Sequence, residues 1–207
     1  MYHRDQKAIQ RYALENADNM ARVYTFVLLT IQQQLSLVGD AMRDVDNQGV
    51  ESRFLWGFKD PAYTWLQENK HTIYDNSLDV YDKILDEQLC EYLLLNYFSR
   101  LPGLGIVKGG FMVQLCFGMS GCIDTHNLKR MGIDPATYNA TSFKRSSVKR
   151  QQETLDSYMD MIHLWGGSEQ MWNDWCQYVA DKLPDTFDDA DHVSRVHWEA
   201  IGGNNVD

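Results

Sequence analysis

Apolar residues recur at helical spacing along nearly the whole chain, and runs of strict alternation bounded by hairpin turns are hard to find. The pattern predicts an all-α fold. A first amphipathic helix is expected over residues 5 to 20, and a second over Val23 to Val38, buried on most sides at its start. Asp60-Pro61 and Asp134-Pro135 each combine an N-cap residue with a proline suited to the first helical position. Tyr81, Ile84, Leu85, Leu89, Tyr92 and Leu93 form one stripe, which predicts a long helix running to about Arg100 and ended by Leu101-Pro102-Gly103. Further helices are expected over Ile106 to Phe117, Val148 to Trp165 and Glu169 to Leu183.

With 207 residues, 44% hydrophobic and 23% charged, the composition is that of a globular protein and excludes disordered, collagen-like and mucin-like classes. A chain of this size buries enough surface to fold without a disulfide or structural metal. The longest nearly apolar run, Val23 to Ile31, is shorter than the ~20 residues a membrane span needs. The start, Met1-Tyr2-His3-Arg4-Asp5-Gln6-Lys7, has no apolar leader core, so a cytoplasmic location is expected. Cys90, Cys116, Cys122 and Cys176 contain no C-x-x-C pair and read as reduced core thiols.

The net charge of −10 is unevenly distributed. Residues 101–150 carry seven basic side chains (Lys108, Lys129, Arg130, Lys144, Arg145, Lys149, Arg150) against Asp124 and Asp134, a local net of +5. An acidic body with one basic segment can bind a polyanion through that segment, because phosphate attraction is short-ranged in physiological salt. Within it, Leu101-Pro102-Gly103-Leu104-Gly105 reads as a tight hairpin between two helices, whose glycines leave backbone N–H groups open to a phosphate oxygen. Gly109-Gly110 permits close backbone approach, Phe111 to Phe117 supplies a core face, and Ile123-Asp124-Thr125-His126 returns an acid near the hairpin.

This succession resembles the helix-hairpin-helix DNA glycosylase superfamily, whose best-known branch comprises endonuclease III and the adenine glycosylases. There an LPGxG hairpin is followed by a helix, a small turn and a V-D-T/V-H segment bearing the catalytic aspartate. Here LPGLG spans Leu101 to Gly105 and IDTH spans Ile123 to His126, with the turn about one residue shorter than in the family. Upstream, Leu28-Leu29-Thr30-Ile31-Gln32-Gln33-Gln34-Leu35-Ser36 is similar to the family's L-L-x-x-Q helix, whose glutamine region fills the gap left by a flipped nucleotide. The resemblance implies two all-α lobes, one over residues 23–131 and the other joining 1–22 to 132–207, with the active-site cleft between them. It also implies base excision in DNA repair, with double-stranded DNA as the partner. It assigns Asp124 as the catalytic residue, and Gln33, Gln34 and the hairpin residues Leu101, Gly103, Leu104 and Gly105 to DNA binding, while Lys108, Lys129 and Arg130 of the basic segment are expected to bind DNA by charge. The four-cysteine loop of endonuclease III is missing, so no iron–sulfur cluster is expected, and the hairpin is compatible with a monovalent cation.

Base removal requires extruding the nucleotide, and the glycosidic bond then breaks through a cation-like sugar that a carboxylate stabilises. Asp124 can play that part, or simply cap a helix from Thr125 to Met131. Strand-cleaving members carry a lysine nucleophile at the second position after the last hairpin glycine. Here that position is Val107, and Lys108 follows one step, or about 100°, later. This favours a monofunctional enzyme in which Lys108 meets a phosphate or solvent. Trp56, Phe58, Tyr63 and Trp65 are dense enough for a base-stacking platform, although such clusters are more often core. Asp156, Asp160 and His163 read as solvent-facing polarity, and His192 and His197 are off the spacing of a helical metal site. Two rival readings remain: a DNA-binding protein on this scaffold without catalysis, and an enzyme that alters a modified base without excising it.

Overall fold

The computed structural model describes residues 2–134 and 136–202. Among these, eleven α-helices carry the structure and no strand occurs. In chain order they are α1 (Tyr2–Glu15), α2 (Ala17–Leu29), α3 (Val38–Gln48), α4 (Lys59–Lys83), α5 (Glu87–Phe98), α6 (Ile106–Phe117), α7 (Thr125–Arg130), α8 (Ala140–Arg145), α9 (Val148–Trp165), α10 (Gly167–Lys182) and α11 (Ala190–Ile201). Single 3-10 turns lie at Leu35–Leu37 and Gly49–Glu51.

Helix α2 is central, packed against α1, α3, α4, α6 and α11. That position explains its composition: Val23, Tyr24, Phe26, Val27, Leu28 and Leu29 are all fully buried. A second apolar cluster joins Leu95 of α5 and Ile106 at the start of α6 to Leu128, Tyr138, Phe143, Leu155, Tyr158 and Ile162 of the α7–α9 region. The larger cluster contains residues of α1, α10 and α11 together with those of α2–α6.

The boundaries of α6 and α9 coincide with the expected ones, since Gly118 and Gly166, both in left-handed conformations, cap their ends. Several expectations are corrected. The first expected helix is two, because Asn16 adopts an extended backbone and its side chain accepts from the N–H of Asn19 (2.9 Å). The second stops at Leu29 instead of continuing to Val38: Gln32 has φ +54, and residues 30–34 form a turn. The long helix expected from Tyr81 to Arg100 is broken at Ile84-Leu85-Asp86. Asp86 caps α5 by accepting from Leu89 N–H (2.8 Å), and Leu85, counted in the apolar stripe, is 96% exposed. Phe58, not Asp60, precedes α4, so Asp60 sits in its first turn. Asp134 does not start a helix. Its side chain accepts from Ala136 N–H (2.9 Å) in a local turn, and Pro135 lies outside the described residues. Helix α11, which the hydrophobic pattern does not suggest, follows Asp189, whose side chain caps it by accepting from His192 N–H.

Candidate functional site

The hairpin holds α5 and α6 together at van der Waals limits. A Cβ on Gly109 would lie 2.7 Å from the Ser99 backbone nitrogen, so the two helices meet backbone to backbone. Gly103 has φ +75, the left-handed conformation that glycine tolerates best. Close packing is a further demand on the hairpin glycines. A Cβ on Gly103 would press on Leu28 and Ala62, and one on Gly105 would collide with Ala140 at the start of α8. These glycines therefore admit neighbouring protein, although both still line a groove. Leu101 and Leu104 are buried, and the Leu101 carbonyl accepts from Lys144 Nζ (3.0 Å). Lys144 thus ties α8 to the hairpin, and loss of hydration there holds its pKa below the usual lysine value.

The groove, about 990 Å³, brings together Gln33, Gln34, Gly103, Leu104, Gly105, Lys108 and Asp124. These residues come from three distant stretches of sequence: the turn after α2, the hairpin entering α6, and the cap of α7. Leu101, Lys129 and Arg130 are not in its lining. Lys129 and Arg130 are exposed on α7, and the Arg130 guanidinium stands over the rings of Tyr178 (5.0 Å) and Trp165 (5.8 Å).

Asp124 caps α7. Its Oδ1 accepts from the N–H groups of His126 and Asn127, each at 3.0 Å. Asp124 thus has the capping role expected as its alternative, and the cap fixes the carboxylate in the lining of a groove. The segment before it is held by Tyr158, whose hydroxyl donates to Gly121 O (2.7 Å) and accepts from Ile123 N–H (2.9 Å).

Lys108 is half-buried and bonded within the protein, so it is not plainly solvated. Its Nζ donates to Thr30 Oγ1 (3.2 Å), approaches Cys122 Sγ (4.0 Å) and stands 5.3 Å over the Phe111 ring. Burial pushes the Cys122 thiol up to about 12 despite the nearby Lys108 charge, so it stays protonated at neutral pH. Lys59, fully buried, donates to Leu29 O (3.4 Å) and stands over the Trp56 ring (5.0 Å). Desolvation, with a smaller push from Lys108, lowers its pKa. Lys59 and Lys108 thus both bind the C-terminal end of α2, where its free carbonyls favour cations.

Beyond Asp124 the groove adjoins a deeper pocket of about 350 Å³. Thr30, Gln33, Lys108, Asp124 and His126 line both. The deeper pocket is walled by Phe111 and Gln114 of α6, Asn127 of α7, and Met171, Trp172, Trp175 and Tyr178 of α10. Trp56, Phe58, Tyr63 and Trp65, expected to be core more often than a stacking platform, are not part of this wall. Of these only Phe58 lines the groove, while Tyr63 and Trp65 pack against the main core. Besides Phe111 of α6, the aromatic wall of the pocket comes from α10, whose Trp172, Trp175 and Tyr178 follow core-like helical spacing.

One other expectation changes. His163 is not simply solvated: its Nε2 pairs with buried Glu91 (3.1 Å), whose pKa burial raises. His197 is fully buried, its Nδ1–H donating to Val193 O (2.6 Å), and desolvation lowers its pKa to about 4. Among the described residues, no group of three or more His, Cys, Asp or Glu could hold a metal ion, and no helix is long and apolar enough to cross a membrane. Comparison with protein-family models, with curated proteins and with solved structures finds no match to this chain.

Proposed function

We propose that this chain is a monofunctional DNA glycosylase of the helix-hairpin-helix type, with the two-lobed arrangement of that class, which hydrolyses the N-glycosidic bond of a damaged, mispaired or modified base. One observation carries the reading: Gln33 and Gln34, Gly103-Leu104-Gly105 of the hairpin and Asp124 line one groove, and that groove adjoins an aromatic pocket. In this reading a DNA backbone lies along the groove. The N-terminus of α6 meets a phosphate, Gln33 and Gln34 occupy the gap left in the duplex, and the extruded base enters the pocket beside Trp175 and Tyr178. The Asp124 carboxylate stabilises the positive charge developing on the sugar and directs water to it. Lys108 contributes positive charge toward the DNA while Thr30 holds its ammonium group. Its position in the lining shared with Asp124 favours, as a second reading, attack by Lys108 on the sugar and strand cleavage.

The test uses the capping geometry. Asp124→Asn retains an acceptor for the N–H groups of His126 and Asn127, so α7 stays capped while the charge is lost. Base release from duplex DNA should fall at least 100-fold, with duplex affinity and thermal stability close to wild type. Undiminished release would remove Asp124 from the chemistry.

A further inference from the structure

Two side-chain amides in the pocket lining, Gln114 and Asn127, are buried and held by backbone carbonyls. Gln114 is 2% exposed, and its Nε2 donates to the backbone carbonyl of Ser168 at the start of α10 (2.9 Å). Ser168 is held in turn from α1, where buried Gln6 donates its Nε2 to Ser168 Oγ (3.3 Å). On the Asp124 side, Asn127 is 4% exposed and its Nδ2 donates to Cys122 O (2.8 Å). Each amide therefore has its orientation set by a backbone carbonyl, and each still has an oxygen acceptor and a second N–H to offer. Phe111, Met171, Trp172 and Trp175 surround Gln114 with apolar surface in the same pocket. Gln114 lines the pocket and its oxygen has no protein partner there, so the spare hydrogen-bonding capacity of an otherwise pinned amide faces whatever fills the pocket.

We infer that Gln114 is the specificity-determining residue of the pocket, reading a base edge that presents a hydrogen-bond donor next to an acceptor. The assignment of the ligand as an extruded base rests on the glycosylase reading; the pinned amide in an aromatic pocket does not. A side-chain amide matches such an edge with two parallel hydrogen bonds, the pairing by which glutamine binds adenine. Asn127 lies on the Asp124 side of the pocket, its backbone N–H bonded to the Asp124 carboxylate. Sites built around such pairs reject analogues lacking one partner, because the buried group is then left unpaired.

The experiment follows the fluorescence of Trp172 and Trp175 while free adenine, cytosine and uracil are titrated into the protein. Each base is compared with the analogue in which a methyl group replaces the edge donor: 6-methylpurine, 4-methyl-2-pyrimidinone and 3-methyluracil. Wild type should bind at least one base ten or more times better than its methyl analogue. Gln114→Met, close in size but without the amide, should erase that preference while still binding the analogue. The wild-type comparison stands even if Gln114→Met fails to fold. Equal binding of base and analogue by wild type, no binding of any base, or a preference that survives in folded Gln114→Met would overturn the inference. Base release from duplex DNA is measured in parallel. Gln114-dependent discrimination without release removes the glycosylase reading alone, and release with Gln114-independent discrimination removes this inference alone.

Discussion

Replacing Tyr158 by phenylalanine removes one oxygen atom and should loosen the segment that carries Asp124. The Tyr158 ring is fully buried, edge-on to Tyr138 with centroids 4.9 Å apart, and phenylalanine fills the same space. What disappears is the hydroxyl that accepts from Ile123 N–H and donates to Gly121 O. Ile123 is 0% exposed, so its amide would be stranded away from water, as would the Gly121 carbonyl if the chain does not move. A buried polar group left unpaired costs ~1–3 kcal/mol, so the pair should cost about 3 kcal/mol after partial relaxation. In a chain of this length that corresponds to a melting temperature lowered by roughly 6–12 °C. Urea denaturation followed by circular dichroism should show a lower midpoint with an unchanged slope. Because Ile123 immediately precedes Asp124, base release by the folded variant should also fall, about tenfold, with duplex affinity preserved. A stability loss below about 0.5 kcal/mol, with full activity, would refute the argument that Tyr158 fixes this segment.

Gly105→Ala should destabilise the protein by about 2 kcal/mol through collision with Ala140, measurable as a lower urea midpoint; wild-type stability would mean that α8 does not pack on the hairpin. His197 is held neutral: below pH 6.5 the unfolded chain takes up a proton that the folded chain refuses until about pH 4. Its contribution is therefore complete above pH 6.5 and is lost as pH falls through that window, by about 3 kcal/mol in all. Urea titrations at pH 7 and pH 4.5 should show His197→Gln losing less stability than wild type, and parallel losses would contradict this. If Lys108 meets a phosphate, Lys108→Met should lower the slope of log affinity against log salt by about one unit. Borohydride should trap no covalent complex with DNA, whereas an adduct absent in Lys108→Met would establish the lyase reading.

The fold was most legible where local signals agreed with packing. Helices α6 and α9 were readable from apolar periodicity ended by Gly118 and Gly166. The break after Leu29 was not, because Leu28-Leu29-Thr30-Ile31-Gln32-Gln33-Gln34 contains no glycine or proline. The turn there follows tertiary contacts, with Lys59 on the Leu29 carbonyl and Lys108 on the Thr30 hydroxyl. The break at Asp86 carried a cap signal that the longer apolar stripe masked. In the candidate site, residues linked by motif converge on one groove, whereas the pocket wall on α10 was hidden. Trp172, Trp175 and Tyr178 repeat like an ordinary buried stripe, and only the placement of α10 beside α6 and α7 makes that stripe line a cavity. Gln114 was hidden for the opposite reason. A lone glutamine in an apolar helix has no sequence partner, and its anchor, Ser168, lies far along the chain.

Mass analysis of duplex DNA of varied base content, incubated with the wild-type protein and with Asp124→Asn, tests the central claim most directly. The account predicts a free base and an abasic site from wild type on at least one duplex, and intact DNA from Asp124→Asn. An unchanged DNA mass with wild type on every duplex, or an intact nucleotide of altered mass in place of an abasic site, would contradict it.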